Sequence, residues 1–319
     1  MPIAPIENCT VVIRSIGERT EKTCLEIVKE QLPSQSQIKV IRDLPFAEAH
    51  AKSLQFAANA DTRYAIFLDA DILLHQQAIP MMIAEANRII YPFFMINFRI
   101  LDYQFESPTY GVHLYNTQYV NKALSLVHSA LAEQRPETFI VNQIAKLYHI
   151  PSIGSDFIVG LHGYEQSYFD EYRTMFVRAV KFSHRADFLF NRIYSRYTND
   201  PSSIDNKLLL YAFLDGSFYK NNNKLAPLKS QFYYDYYNKH KELLSLTEKP
   251  PMQREDVDVE KVISEFKPDD LFEENKSWLC PSGYKTKLQQ PFAKRIFQKV
   301  YRFAKRFKKA VWILFKDGT

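Results

Sequence analysis

Glycine is scarce in this chain: 8 residues of 319, against 16 prolines. That excludes collagen-like and glycine-repeat architectures. Cysteine is scarcer still. Cys9, Cys24 and Cys280 are odd in number, widely spaced and form no CxxC pair. This usage argues against a disulfide scaffold or a zinc-thiolate site and suits a reducing compartment. No apolar run approaches the roughly 18 residues of a membrane span; the nearest, residues 89–98, is broken by Pro92. The opening MPIAPIENCT has no basic segment leading into an apolar one, so no signal peptide is expected. Apolar residues make up 46% and charged residues 24%, which excludes a disordered chain. The length suits one large domain or two ordinary ones with a substantial core.

The formal net charge of +5 is unevenly spread. Residues 293–319 hold nine Lys/Arg and one acid, Asp317, whereas the preceding 292 residues hold 32 basic and 35 acidic side chains. Ile296, Val300, Phe303, Phe307, Val311 and Leu314 recur at helical spacing, widened by Trp312 and Phe315, with the cations mostly on the other side. This is the pattern of an amphipathic helix lying in an anionic membrane surface. The alternative is a helix docked on the protein's own body. Nucleic acid is not expected as a partner, because the body has no basic patch to extend the footprint.

Residues 9–16 read as a buried strand, 20–32 as a helix, 38–41 as a strand, 46–60 as an Ala-rich helix and 64–68 as a third strand. A helix is predicted over 76–90, extended segments over 93–101 and 109–115, a helix near 118–133, a strand over 156–161 and a helix over 165–182. Strand–helix alternation is the mark of an α/β domain with a parallel sheet and crossover helices. After residue 183 the chain turns to tyrosine-rich helices, and the paired prolines of TEKPPMQRED (247–256) suggest a linker.

The strongest chemical signal is YAIFLDADILLH (64–75), an apolar strand running into Asp69-Ala70-Asp71. Ligands of open α/β sheets bind beyond the carboxyl ends of strands. Two carboxylates there suit a hard divalent cation shared with a diphosphate. As plain turn formers they would bring two acids together with no cation to offset the repulsion.

The series VVIRS, helix, IKVIRD, Ala-rich helix and FLDAD resembles the nucleotide-sugar domain of GT-A glycosyltransferases. The likeness spans residues 9–182 and is nearest in type to bacterial family 2-like enzymes that build surface polysaccharides. The first loop, IRSIGERT, departs from the Pro-Thr-Tyr-Asn type usual there. The resemblance implies a mostly parallel sheet flanked by helices, with a helical C-terminal extension. It divides the chain into a donor- and acceptor-binding domain (1–182), a helical extension (183–246), linker and short helices (247–292) and the basic membrane-surface helix (293–319).

It further implies that Arg14 and Ser15 line the nucleotide pocket, that Arg19 contacts a phosphate or the base, and that Asp43 faces the base or ribose. Lys52 would face the diphosphate, and Asp69, Ala70 and Asp71 would form the metal-binding turn. A downstream histidine completes the metal site in such enzymes. His162, between Gly160 and Gly163 in FIVGLHGYEQ, is the candidate, with His75 and His113 as competitors. Imidazole beside carboxylates favours Mn²⁺ over Mg²⁺. On the acceptor side, Arg99, Asp102, Tyr110 and His113 are the expected polar contacts. An inverting enzyme needs a carboxylate base. Asp156, Asp102 and Glu165 are candidates that spacing does not separate; Asp156 is preferred because it opens the strand leading to His162.

The function implied is transfer of a sugar from an NDP-sugar to a glycan or lipid-linked glycan, in the cytoplasm at the inner face of the membrane. Three alternatives compete. A haloacid-dehalogenase-type phosphatase would also use a strand-end DxD, but Leu73 stands where that motif wants Thr or Val. An NDP-sugar nucleotidyltransferase wants a glycine-rich loop, and IRSIGERT has one glycine. A non-catalytic membrane-bound scaffold would not need Asp69, Asp71 and His162 intact.

Overall fold

The computed structural model describes residues 9–32, 37–131, 133, 135–219 and 230–267. The basic segment 293–319 and Cys280 lie outside the described residues.

The chain begins β1 (Cys9–Ser15), α1 (Glu21–Gln31), β2 (Gln37–Arg42), α2 (Phe46–Asn59), β3 (Tyr64–Asp69), β4 (Ile72–Leu74) and α3 (Ala78–Arg88). It continues β5 (Met95–Asp102), β6 (Ser107–Asn116), α4 (Val120–Leu124), α5 (Val127–Ala130), α6 (Pro136–Tyr148) and β7 (Ser152–His162). The rest is helical: α7 (Tyr168–Lys181), α8 (Ala186–Asn199), α9 (Ile204–Phe218), α10 (Gln231–Leu243) and α11 (Val259–Glu265).

Seven strands form one sheet in the order β2-β1-β3-β6-β5-β7-β4. The pairs β1–β2, β1–β3 and β5–β7 are parallel, and β3–β6, β5–β6 and β4–β7 antiparallel. The α/β architecture is the one expected, with the sheet mixed because β6 runs against both neighbours. Alternation sends Val11, Ile13, Ile66 and Leu68 to one face, against α1, α3 and α11, and Val12, Ala65 and Phe67 to the other, against α2, α4 and α6. Burial on both faces is why β1 and β3 read as continuous apolar runs.

The sheet must curl. Asp69 and Ile72 are joined by three residue steps, about 11 Å at full extension. Yet β4 stands four places beyond β3 in the sheet, about 19 Å if it were flat. The DxD turn therefore crosses the inside of the curl and belongs to both halves of the sheet at once. Gly160 permits the closure: a Cβ there would meet Leu73 O at 2.5 Å, so β7 can accept β4 only without a side chain at this position.

Two stretches differ from the sequence expectation. The helix expected near 118–133 is broken into α4 and α5, where Ser125 Oγ donates to the Lys122 carbonyl at 2.8 Å, and α6 follows as a separate helix. The pair Pro136–Glu137 opens α6, proline at the first position and an acid in the first turn. Residues 257–266, in the stretch expected as linker and short helices, include the short helix α11 and pack Val257 and Val259 onto the sheet's core. Helix α7 buries Tyr172, Met175 and Phe176 against α8, α9 and α10, so the helical layer begins near residue 168. Ser167 caps α7 by accepting the Asp170 N–H at 3.1 Å.

Candidate active site

A cleft of about 1020 Å³ lies over the carboxyl ends of β1, β2, β3 and β5, roofed by α7. Arg14, Ser15, Arg19, Asp43, Asp69, Asp71, Tyr110, His113, Glu165, Asp102 and His162 all line it. Most of the residues singled out in the sequence are thus brought to one place.

Its centre is built on three adjacent strands. His162 ends β7 and is paired on one side with Ile72 of β4 and on the other with Asp102 of β5. The imidazole consequently sits between two carboxylates: Nδ1 is 2.8 Å from Asp102 Oδ2 and Nε2 is 3.2 Å from Asp71 Oδ2. Asp102, only 2% exposed, also accepts from both terminal nitrogens of Arg178 on α7 and from the Phe105 N–H. Burial alone would raise the Asp102 carboxyl, but Arg178 and His162 hold it well below the ordinary carboxylate range. Burial would likewise lower His162, yet the Asp71 charge and the bond to Asp102 outweigh it and push its pKa up to about 10.

Asp69 and Arg14 form the second part. They face one another in the β1–β3 register, and Arg14 Nε donates to Asp69 Oδ1 at 2.8 Å. Arg14 is buried under the Phe46 ring, 4.9 Å from its centre, whereas the Asp69 side chain is 40% exposed to the cleft. Between the two aspartates Ala70 is fully buried; its N–H donates to Arg14 O at 2.8 Å and its carbonyl accepts from Thr20 Oγ1 at 2.9 Å. Ala70 thus shapes the turn through its backbone, and its side chain offers a ligand nothing.

The donor set fits a hard cation. Asp71 Oδ1 is buried and has no hydrogen-bond partner, and the proton on His162 Nε2 stands beside Asp71 where a shared cation would otherwise offset its charge. Asp102 behind His162 makes a carboxylate–imidazole pair, the arrangement that fixes a ligating histidine's tautomer. Among the described residues no group of three or more His, Cys, Asp or Glu already surrounds one point, so the pair Asp71–His162 would be completed by ligand oxygens.

Several expectations need correction. Asp156 is 89% exposed, pairs with Arg99 on the flank of the sheet and does not line the cleft. It is not placed to take a proton there. Asp102 has both oxygens engaged, by Arg178, His162 and the Phe105 N–H. Glu165 is buried and held by Arg19 Nη2 at 2.8 Å, so neither is free to act as a base. Arg19 is spent on that pair and on the Lys249 carbonyl, 3.1 Å away. Lys52 is exposed on α2, and neither it, Arg99 nor His75 lines the cleft. Of the glycines flanking His162, Gly160 serves strand closure and Gly163, φ +66°, a turn.

Glu137, which the sequence did not bring forward, lines the cleft from the start of α6. It accepts from Tyr115 Oη and lies 3.6 Å from His113 Nε2 and 4.0 Å from His50 Nδ1. Burial opposes its ionisation, but the neighbouring His113, His50 and Arg14 bring it down to about 2.

No protein-family model matches the chain, and no curated protein is similar to it in sequence. Solved structures that share part of its course include a glycosyltransferase involved in glycosylation of the major capsid of PBCV-1, at 13% identity, 48% of this chain, 93% of that chain and TM-score 0.34. Residues 1–349 of TarS from S. aureus match at 13% identity, 73% of this chain, 80% of that chain and TM-score 0.34. A 4-diphosphocytidyl-2C-methyl-D-erythritol synthase from Anaerococcus prevotii matches at 7% identity, 47% of this chain, 89% of that chain and TM-score 0.32.

Proposed function

We propose that this chain is a GT-A-type glycosyltransferase that moves a sugar from a nucleoside-diphosphate sugar to a glycan or lipid-linked glycan in polysaccharide assembly. The observation that carries this reading is the Asp71–His162–Asp102 series beside a strand-end cleft with room for a sugar nucleotide. Asp71 and His162 would hold a divalent cation, Mn²⁺ in preference to Mg²⁺, with Asp69 at its side. When bound, the cation supplies Lewis-acid neutralisation of the charge that develops on the departing diphosphate.

The chain's own residues do the rest by position. Asp102 keeps the Nδ1 proton on His162, so that Nε2 is the atom presented to the cleft. Arg178 offsets the Asp102 charge and spares His162 a second full negative neighbour. Arg14 fixes one oxygen of Asp69. Ser15 and Asp43, at the ends of β1 and β2, form the end of the cleft for the nucleoside, where Ser15 Oγ donates to Glu18 and accepts from the Gly17 N–H to set the loop.

Among the described residues no helix is long and apolar enough to cross a membrane. The basic amphipathic segment 293–319 would instead hold the enzyme at the anionic inner face of the cytoplasmic membrane. Loss of vesicle binding on removal of 293–319 is the expected result, and unchanged binding would refute it. The transferase reading itself is tested by incubating the protein with a panel of NDP-sugars and Mn²⁺ and measuring release of the nucleoside diphosphate. Asp71→Ala should abolish release while the fold persists; full activity in that variant would contradict the mechanism.

A further inference from the structure

Six cations line the cleft, and four of them, Arg14, Arg19, Arg173 and Arg178, are each paired with a carboxylate. Arg135 and Lys181 have no carboxylate partner among the described residues. They are close together. Arg135 immediately precedes α6, Lys181 ends α7, and the Arg135 guanidinium lies 5.5 Å from the centre of the ring of Phe182, the next residue. Both side chains are exposed at the rim of the cleft; desolvation, and then the like charges of Arg135 and Arg178, lower the Lys181 ammonium from its ordinary pKa. The nearby acid Glu137 does not neutralise them; its charge is turned inward to Tyr115, His113 and His50.

Their place in the cleft separates them from the nucleoside end. Arg178, one turn before Lys181, is bonded to Asp102 at the end of β5, and Glu137, two residues after Arg135, is bonded to Tyr115 of β6. In the sheet β6 and β5 lie on one side of β3, and β1 and β2, with Ser15 and Asp43, lie on the other. Two cations side by side at the exposed rim of a cleft, with no carboxylate partner among the described residues, favour an anion placed between them. A phosphate ester matches them, because guanidinium binds two of its non-bridging oxygens in a plane and ammonium acts as a point charge beside them.

We infer that Arg135 and Lys181 form an anion subsite for the second substrate, so that the sugar acceptor carries a phosphate ester close to the hydroxyl that attacks. The ester could belong to a lipid-linked diphosphate or to a phosphodiester chain; the recognition chemistry is the same. This deepens the transferase reading and rests on it.

The test uses the full chain and the double variant Arg135→Gln/Lys181→Gln, in two sets of titrations followed by calorimetry. In the first, UDP, GDP and CDP are added in the presence of Mn²⁺. In the second, glycerophosphoglycerol, itself a phosphodiester, represents the phosphodiester source and farnesyl diphosphate the lipid-linked source, each added without metal. The expected result is that nucleotide affinity stays within twofold while affinity for at least one of the two esters falls tenfold or more; the one that falls further identifies the source. Unchanged affinity for both esters would overturn the subsite. A tenfold loss of nucleotide affinity would also overturn it, by giving the two cations to the donor diphosphate. If no nucleotide binds either protein but ester binding still falls tenfold, the anion subsite stands and the transferase reading fails.

Discussion

Asp102 and His162 stand directly opposite one another on adjacent parallel strands, with Asp102 Oδ2 2.8 Å from His162 Nδ1. The distance fixes which imidazole nitrogen is turned to the cleft, and the strand register fixes where. Everything proposed for the centre of the cleft depends on this contact.

Asp102→Asn keeps the shape and removes the charge. Arg178 would be left largely buried without its carboxylate, which costs roughly 3–5 kcal/mol when one partner of a buried pair is lost. The histidine would also lose the acceptor that sets its tautomer, so Mn²⁺ affinity should fall about 10- to 100-fold. Denaturant unfolding and a Mn²⁺ titration of the refolded variant check the two effects separately. Unchanged Mn²⁺ affinity would remove Asp102 from the metal site.

The curl of the sheet can be tested at one atom. Gly160→Ala sets a methyl group 2.5 Å from the Leu73 carbonyl oxygen, backbone that cannot step aside. A loss of about 1–3 kcal/mol is expected from overpacking. Because β4 carries the chain on from Asp71, the variant should also weaken Mn²⁺ binding. A thermal unfolding temperature equal to that of the parent protein would contradict the close β4–β7 contact.

Much of this could be read in the sequence, and the failures have identifiable causes. β1 and β3 announce themselves because both sheet faces bury them, and Asp69 and Asp71 because they follow such a run. The resemblance brings His162 forward, and the structure sets it in the cleft beside Asp71. Its contact with Asp102 is not legible, since it is a cross-strand register between residues sixty positions apart, about which local spacing is silent. Helix α6 has no counterpart in the sequence reading, where the helix expected near 118–133 stops short of it, and Arg135 and Glu137 go unremarked with it; the signal for it is Pro136, a residue preferred at the first position of a helix. β4 was missed because three residues are too few to show a period. Asp156 is preferred as a base for its position in the chain, but the register of β7 against β5 is irregular beside it and leaves it 89% exposed against Arg99.

Glu171 offers a pH test away from the cleft. Burial between the helices raises its carboxyl to about 7, against the opposing charge of Lys249, whose Nζ is 2.8 Å away. A carboxyl whose folded pKa lies above its unfolded one stabilises the fold most at low pH. That contribution is full below the unfolded value near 4.5 and is lost as pH rises through about 7. Between about pH 5 and 8 the parent protein should therefore lose stability relative to Glu171→Gln, by up to about 3 kcal/mol. Parallel stability curves for the two proteins over this range would contradict the assignment.

The central claim is that Asp71 and His162 bind a cation that in turn binds a nucleoside diphosphate. Its most direct test is thermal unfolding of the parent protein and Asp71→Asn with UDP, GDP and CDP, each with Mn²⁺ and with chelator. At a hundred times its dissociation constant a ligand adds about 2.7 kcal/mol to stability. The account predicts a rise in unfolding temperature with at least one nucleotide, present with Mn²⁺, absent with chelator and absent in Asp71→Asn. A rise of the same size with chelator, or in Asp71→Asn, would contradict it, as would no rise with any nucleotide.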